Sequence, residues 1–199
     1  MTYLIFKYGT MNSSKSANLL MTYHSMSTRK KKVILIKPIA DSRFGVNMIT
    51  SRVGLEQVVD IVLLPDNTPI ANTFPSEVDI VLVDEAQFLS IKNVERLRSL
   101  ASNLKIPIIC YGLLTDYRSI LFNGSKRLVE LADTIKEITS DVSPYVGDCY
   151  CCGMNKAIIN AKFTQEPNCI TIIKKGSSLP DLGTEQKYRP MCWSCWNKS

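Results

Sequence analysis

Gly9-Thr10-Met11-Asn12-Ser13-Ser14-Lys15-Ser16 lies between an apolar run, Leu4-Ile5-Phe6, and a helical pattern over residues 17–27. The reading of this stretch decides the fold. A strand, a glycine-opened loop and a Lys-Ser pair at a helix start form the context of a Walker A loop, G-x-x-x-x-G-K-[ST]. Such a loop wraps backbone N–H groups around phosphates and points a helix N-terminus at them. Lys15 then supplies an ammonium for the β/γ oxygens, and the Ser16 hydroxyl a ligand for Mg²⁺. The one departure is Ser14 in place of the second glycine. If the backbone there is left-handed, a serine costs about 1–2 kcal/mol. Read alone, the same residues also fit a Ser-rich helix cap followed by an exposed lysine.

Outward from the loop, apolar runs alternate with helical patterns. Leu19, Leu20, Tyr23 and Met26 recur at three- and four-residue steps, as on a helix packed along one face. Continuous runs at 33–36, 59–64, 79–83 and 107–111 read as buried parallel strands. Ile91, Val94, Leu97, Leu100 and Leu104 mark a helix face, and residues 125–132 read as helical. Strand–helix alternation predicts a parallel α/β sheet of the P-loop NTPase type, with right-handed crossovers.

The strand at 79–83 ends in Asp84-Glu85. Two adjacent acids at a strand tip suit a Walker B arrangement, in which the aspartate serves Mg²⁺ and a neighbouring acid serves the nucleophile. An ordinary acidic strand end is the bland alternative, and the phosphate loop upstream is what favours the functional one.

The character of the chain changes near Ser143-Pro144. Two domains follow: 1–143, the α/β domain, and 144–199, a small β domain with runs at 157–163 and 169–173. Four of the seven cysteines fall in the pairs Cys149-x-x-Cys152 and Cys192-x-x-Cys195, the usual complement for a tetrahedral structural Zn²⁺. Cys151 competes for the first site with poorer spacing. Cys110 and Cys169 begin or sit in apolar runs and read as structural. His24, the sole histidine, has no ligand set beside it.

Hydrophobic residues at 45% and charged residues at 21% argue against a disordered chain or a fibre, while the net charge of +6 invites a nucleic-acid or polyanion ligand without establishing one. No apolar run approaches the ~18 residues of a membrane helix, and the N-terminus lacks a signal-peptide pattern. A cytoplasmic, reducing setting is expected, in which paired cysteines hold metal rather than disulfides. The basic run Arg29-Lys30-Lys31-Lys32 reads as a solvated turn after a helix.

Taken together, Met11 with Lys15-Ser16, Asp84-Glu85-Ala86-Gln87-Phe88, Ala40-Asp41-Ser42-Arg43-Phe44-Gly45, Ser51-Arg52-Val53-Gly54, Tyr111-Gly112-Leu113-Leu114-Thr115-Asp116-Tyr117 and Leu121-Phe122-Asn123-Gly124-Ser125 resemble the type II thymidine kinase family. The bacterial and phage members are most similar, and the resemblance covers nearly the whole chain. Ser14 replaces the family's glycine, and Leu114 stands where bacterial members commonly carry arginine. The resemblance implies transfer of the γ-phosphate of ATP to the 5′-hydroxyl of thymidine, with Glu85 as base. It implies Lys15 and Arg43 as electrostatic helpers, and Ser16 and Asp84 as holders of Mg²⁺. It also implies a lasso loop between the cysteine pairs that closes over the nucleoside. Tyr188 matches the aromatic of that loop, and Phe88, Tyr117 and Phe122 match positions lining the base pocket. A homotetramer and feedback inhibition by thymidine triphosphate are implied too. No obvious basic-aromatic groove accompanies the cysteine pairs, so direct nucleic-acid binding is not expected. Two alternatives stay open: a P-loop ATPase with a nucleic-acid-binding zinc module, and a weakened relative limited by Ser14.

Overall fold

The computed structural model describes residues 3–39, 47–63, 77–138, 149–166, 169–176 and 187–199. The expected boundary at 143/144, Asp41, Arg43 and the middle of the expected lasso loop lie outside the described residues.

Six parallel strands form the main sheet: β1 (Leu4–Tyr8), β2 (Val33–Pro38), β5 (Ile61–Leu63), β6 (Ile80–Val83), β7 (Ile108–Gly112) and β8 (Thr134–Glu137). Their order is β5-β2-β6-β7-β1-β8. Leu4 pairs with Ile108, which in turn faces Val81. Alternate side chains of such strands enter opposite faces. Leu4, Phe6, Ile34, Ile36, Val81, Val83, Ile108 and Cys110 therefore fill one apolar layer, under α2 (Ile91–Leu104) and α3 (Asn123–Leu131). Leu35, Ile80, Leu82, Ile109 and Tyr111 fill the other, beneath Leu19 and Leu20 of α1 (Lys15–Thr28). This is the three-layer α/β architecture expected from the alternation of elements.

Several details differ from the sequence expectation. Helix α1 begins at Lys15, two residues early, because the phosphate loop runs straight into it. The run at 59–64 is not one strand. The Asp60 carboxylate accepts the Leu35 N–H at 2.7 Å, and its own N–H donates to the Leu35 carbonyl at 3.0 Å, so β5 starts only at Ile61. Just before it, β3 (Met48–Thr50) and β4 (Glu56–Val58) form an antiparallel hairpin. Its turn is Ser51-Arg52-Val53-Gly54, where Gly54 takes φ 81°, a left-handed angle that suits glycine. The buried stripe of α2 is Val94, Leu97 and Ala101, while Ile91 and Leu104 at its ends are exposed. Among the described residues, no helix is long and apolar enough to cross a membrane.

The second sheet is antiparallel: β10 (Cys169–Ile173), β9 (Ile159–Glu166) and β11 (Tyr188–Met191), followed by the short helix α4 (Trp193–Lys198). Its small core holds Cys149, Ile159, Ala161, Met191, Cys192 and Trp196. The basic run 29–32 is exposed. Lys31 pairs with Asp79 at 2.9 Å and Lys32 with Glu77, so it is a solvated turn, as expected.

Candidate active site and metal centre

Residues 9–16 connect β1 to α1 at the carboxyl ends of the parallel strands, where α/β proteins bind their ligands. Gly9 is required by close approach: a Cβ there would meet the Ser13 side chain at 2.3 Å and the Ile138 carbonyl at 3.1 Å. The Gly9 N–H reaches the Gly112 carbonyl at 3.3 Å, which ties the loop to β7. The Thr10 carbonyl accepts from the Ser13 N–H at 3.3 Å and from Lys15 Nζ at 2.7 Å. Asn12 and Ser14 both adopt left-handed backbone, φ 68° and φ 62°. Glycine would meet the Ser14 angle without strain, so the serine carries the cost anticipated for it. Its hydroxyl makes no capping hydrogen bond to the helix. Ser13 is buried, and its hydroxyl has no hydrogen-bond partner among the described residues.

The two acids at the tip of β6 have different surroundings. Asp84 is 5% exposed, and the Ser16 hydroxyl donates to it, 3.2 Å from Oδ2. Burial, and after it the neighbouring charge of Glu85, pushes the Asp84 carboxyl up to about 7. Burial disfavours the ionised form, and a like charge adds to that. Glu85 is half-buried and left-handed at φ 48°, ψ 40°. Its carboxylate accepts from Gln87 Nε2. The other end of that amide, Gln87 Oε1, accepts the Leu113 N–H at 3.0 Å. Gln87 thus holds the glutamate against the end of β7.

Two glycines bring this turn into place. A Cβ on Gly112 would lie 2.6 Å from Gln87 Oε1, and one on Gly124 would lie 2.7–2.9 Å from the carbonyls of Leu89, Ala86 and Gln87. Helix α3 therefore starts directly against the 3₁₀ turn Ala86–Phe88.

Phe88 and Phe122 meet edge to face, with ring centroids 5.8 Å apart. Tyr117 and Tyr188 lie 6.4 Å apart, and Lys162 Nζ sits 5.3 Å from the Tyr117 ring centre. The four aromatics expected near the base thus form two pairs, and Tyr117–Tyr188 joins the main sheet's loops to the second sheet.

The sulfurs of Cys149, Cys152, Cys192 and Cys195 all lie within 4.8 Å of one another. Thiolates on one tetrahedral Zn²⁺ stand about 3.8 Å apart, from Zn–S bonds of about 2.3 Å, so the set can hold such an ion. The donors around it fit as well. Backbone N–H groups of Met154 and Asn155 pull the Cys152 thiol down to about 6. The Cys195 N–H holds Cys192 below the usual thiol range, while a hydrogen bond to Cys192 pushes the Cys195 thiol up. A bound metal ion would require all four as thiolates and would release their protons. Gly153, at φ 62°, makes the tight turn of the first pair. Cys151 is exposed and outside the cluster, Cys110 is buried in β7, and His24 is exposed on α1.

Gln87, Asn160 and Lys162 were missed by the sequence reading. Gln87 lies in the segment Asp84-Glu85-Ala86-Gln87-Phe88, where an amide carries no separate sequence signal. Asn160 and Lys162 interrupt an apolar run at a two-residue step, which marks them on one face of a strand.

A parallel sheet with a phosphate loop after β1, and a buried carboxylate on the loop's serine, defines a P-loop nucleotide-binding protein. The comparisons narrow this to one family of phosphotransferases. The chain belongs to the thymidine kinase family, whose model matches residues 2–196. A thymidine kinase of Encephalitozoon cuniculi is 37% identical over 98% of this chain and 87% of its own length. That of Lactococcus lactis is 33% identical over 96% and 95%, and that of Enterobacteria phage T4 is 33% identical over 100% and 97%.

Proposed function

We propose that the chain transfers the γ-phosphoryl group of ATP to the 5′-hydroxyl of thymidine, yielding ADP and thymidine 5′-monophosphate. The observation that carries this reading is the division of labour at the tip of β6. Asp84 is buried on the loop's Ser16, whereas its neighbour Glu85 is half-buried and held by Gln87.

In this reading Glu85 accepts the proton of the 5′-hydroxyl as that oxygen bonds to the γ-phosphorus. The bond from phosphorus to the β–γ bridging oxygen breaks, and its electron pair leaves with ADP. Lys15 offsets charge on the transferred group, with Arg43 as its partner in that role. Ser16 and Asp84 would hold Mg²⁺, which supplies positive charge at the phosphates when bound. The loop Gly9 to Ser16 would surround the phosphates with the N–H groups that the fold leaves for them, since those of Gly9, Met11 and Ser13 already donate to Gly112, Asn160 and Thr10. Phe88, Phe122, Tyr117 and Tyr188 supply flat apolar surface for a pyrimidine.

The family resemblance extends the proposal to a homotetramer in the cytoplasm, inhibited by thymidine triphosphate in the nucleoside site. Light scattering and competition against thymidine test these two points. The division at 143/144 belongs to the same reading.

ADP release is measured with and without thymidine. Strict dependence on the nucleoside is expected; release at an equal rate without it, or release stimulated by DNA, points to a nucleic-acid-linked ATPase instead. Glu85→Gln should retain ATP binding and lose at least about 100-fold in turnover, the lower range for a general base. A variant nearly as fast as the parent removes Glu85 from that role.

A further inference from the structure

The phosphate loop is held from a place that its own sequence does not reveal. Asn160, on β9 of the second sheet, is 4% exposed, and its Oδ1 accepts the Met11 N–H at 2.7 Å. The residues are 149 positions apart in the chain. We propose that Asn160 is a positioning residue for the phosphate loop, and that through it the cysteine-bearing sheet becomes part of the nucleotide site. The inference rests on reading residues 9–16 as a phosphate loop, and not on which molecule accepts the phosphoryl group.

Two independent observations support it. The loop contains two non-glycine residues in left-handed backbone, Asn12 and Ser14. Strained backbone of that kind persists only where surrounding structure over-determines it. Gly9 is fixed by β7 at one end and Ser16 by Asp84 at the other. Met11 stands next to the first strained residue, and Asn160 holds it.

The second observation is the placement of Asn160 within β9. Its neighbours Ile159 and Ala161 are 0% and 1% exposed and pack into the core with Cys149 and Cys192. Alternation along the strand turns Asn160 to the opposite face. The cysteine cluster therefore fixes the strand, the strand fixes the amide, and the amide fixes Met11. An apolar side chain of the same size would take this partner from the half-buried Met11 N–H, at the cost of about one hydrogen bond.

The test measures ATP binding by calorimetry without nucleoside, and amide exchange at Met11 in protein labelled with ¹⁵N-methionine. Met26, in α1, reports in the same spectra that the α/β fold is intact. In Asn160→Leu, Met11 exchange should speed at least about tenfold and the ATP Kd rise about three- to tenfold, the worth of one hydrogen bond. Asn160→Asp keeps an acceptor oxygen at the same reach and should restore slow exchange at Met11. Cys152→Ser should also speed exchange at Met11, and should add little in the Asn160→Leu background. Unchanged Met11 exchange in Asn160→Leu, or an ATP Kd within twofold of the parent, overturns the positioning role. Full additivity of the Cys152 and Asn160 changes overturns the link to the cysteine sheet. A parent that binds no ATP at all instead refutes the phosphate-loop reading.

Discussion

Ser14→Gly isolates the cost of the loop's unusual residue. Ser14 sits at φ 62°, ψ 27° at the N-cap of α1. An L-residue there pays about 1–2 kcal/mol relative to its preferred regions. The hydroxyl makes no capping bond, and the residue is exposed, so its removal loses little. Against the relief stands the greater freedom of glycine in the unfolded chain, about 0.4–1 kcal/mol. The two leave a net gain of about 1 kcal/mol, or about 2–4 °C in Tm for a domain of this size. The assay is thermal melting with saturating Mg-ATP, so that strain relieved in folding and strain relieved in binding both register. Ser14→Ala is the control: it deletes the hydroxyl but keeps the Cβ, and its Tm should stay within about 1 °C of the parent, because the strain resides in the Cβ. A fall in Tm for Ser14→Gly, or an equal rise for Ser14→Ala, refutes the strain argument. Turnover of Ser14→Gly comparable with the parent would in turn dismiss the idea that Ser14 leaves the enzyme impaired.

Asp84 makes the metal-free protein pH-sensitive. Its folded pKa, raised to about 7 from 3.8, means that the native state holds a proton the unfolded chain has released. Stability from this group is present below about pH 4 and is lost as pH rises through 7. Metal-free protein should therefore melt lower at pH 8 than at pH 5.5, and Asp84→Asn should flatten that slope while abolishing turnover; an unchanged slope contradicts the assignment. Gly124→Ala drives a Cβ against three backbone carbonyls. Overpacking of that kind costs about 1–3 kcal/mol, and the displaced Asp84–Phe88 turn should lower kcat; denaturant melts and steady-state rates check both. Removing the metal with a strong chelator should release one zinc per chain, measured by a colorimetric dye. It should also change the tryptophan emission, because both tryptophans, Trp193 and Trp196, lie in α4 beside the cysteines. Constant emission on zinc loss would separate α4 from the metal centre.

Much of the architecture was legible because central parallel strands are buried on both faces and read as unbroken apolar runs. Strand β8 was not, since Thr134-Ile135-Lys136-Glu137 lies at the sheet edge with Ile135 and Lys136 exposed. An edge strand needs no apolar run, and its pairing with β1 comes from the fold. Strand β11 was hidden likewise, because Tyr188-Arg189-Pro190-Met191 pairs with β9 along one edge only. Proline tolerates that position because no ladder donor is required of it.

The phosphate loop, the Asp84-Glu85 pair and the two Cys-x-x-Cys turns were determined by the sequence itself. Each is a short-range pattern whose chemistry requires fixed spacing between near neighbours. Only the tertiary structure decided that Ser14 is left-handed, that Gln87 spans from Glu85 to Leu113, and that Asn160 grips Met11. The reason is physical: a hydrogen bond or a close approach between residues far apart in the chain leaves no periodicity in either segment. It exists only once two elements have packed at a set distance.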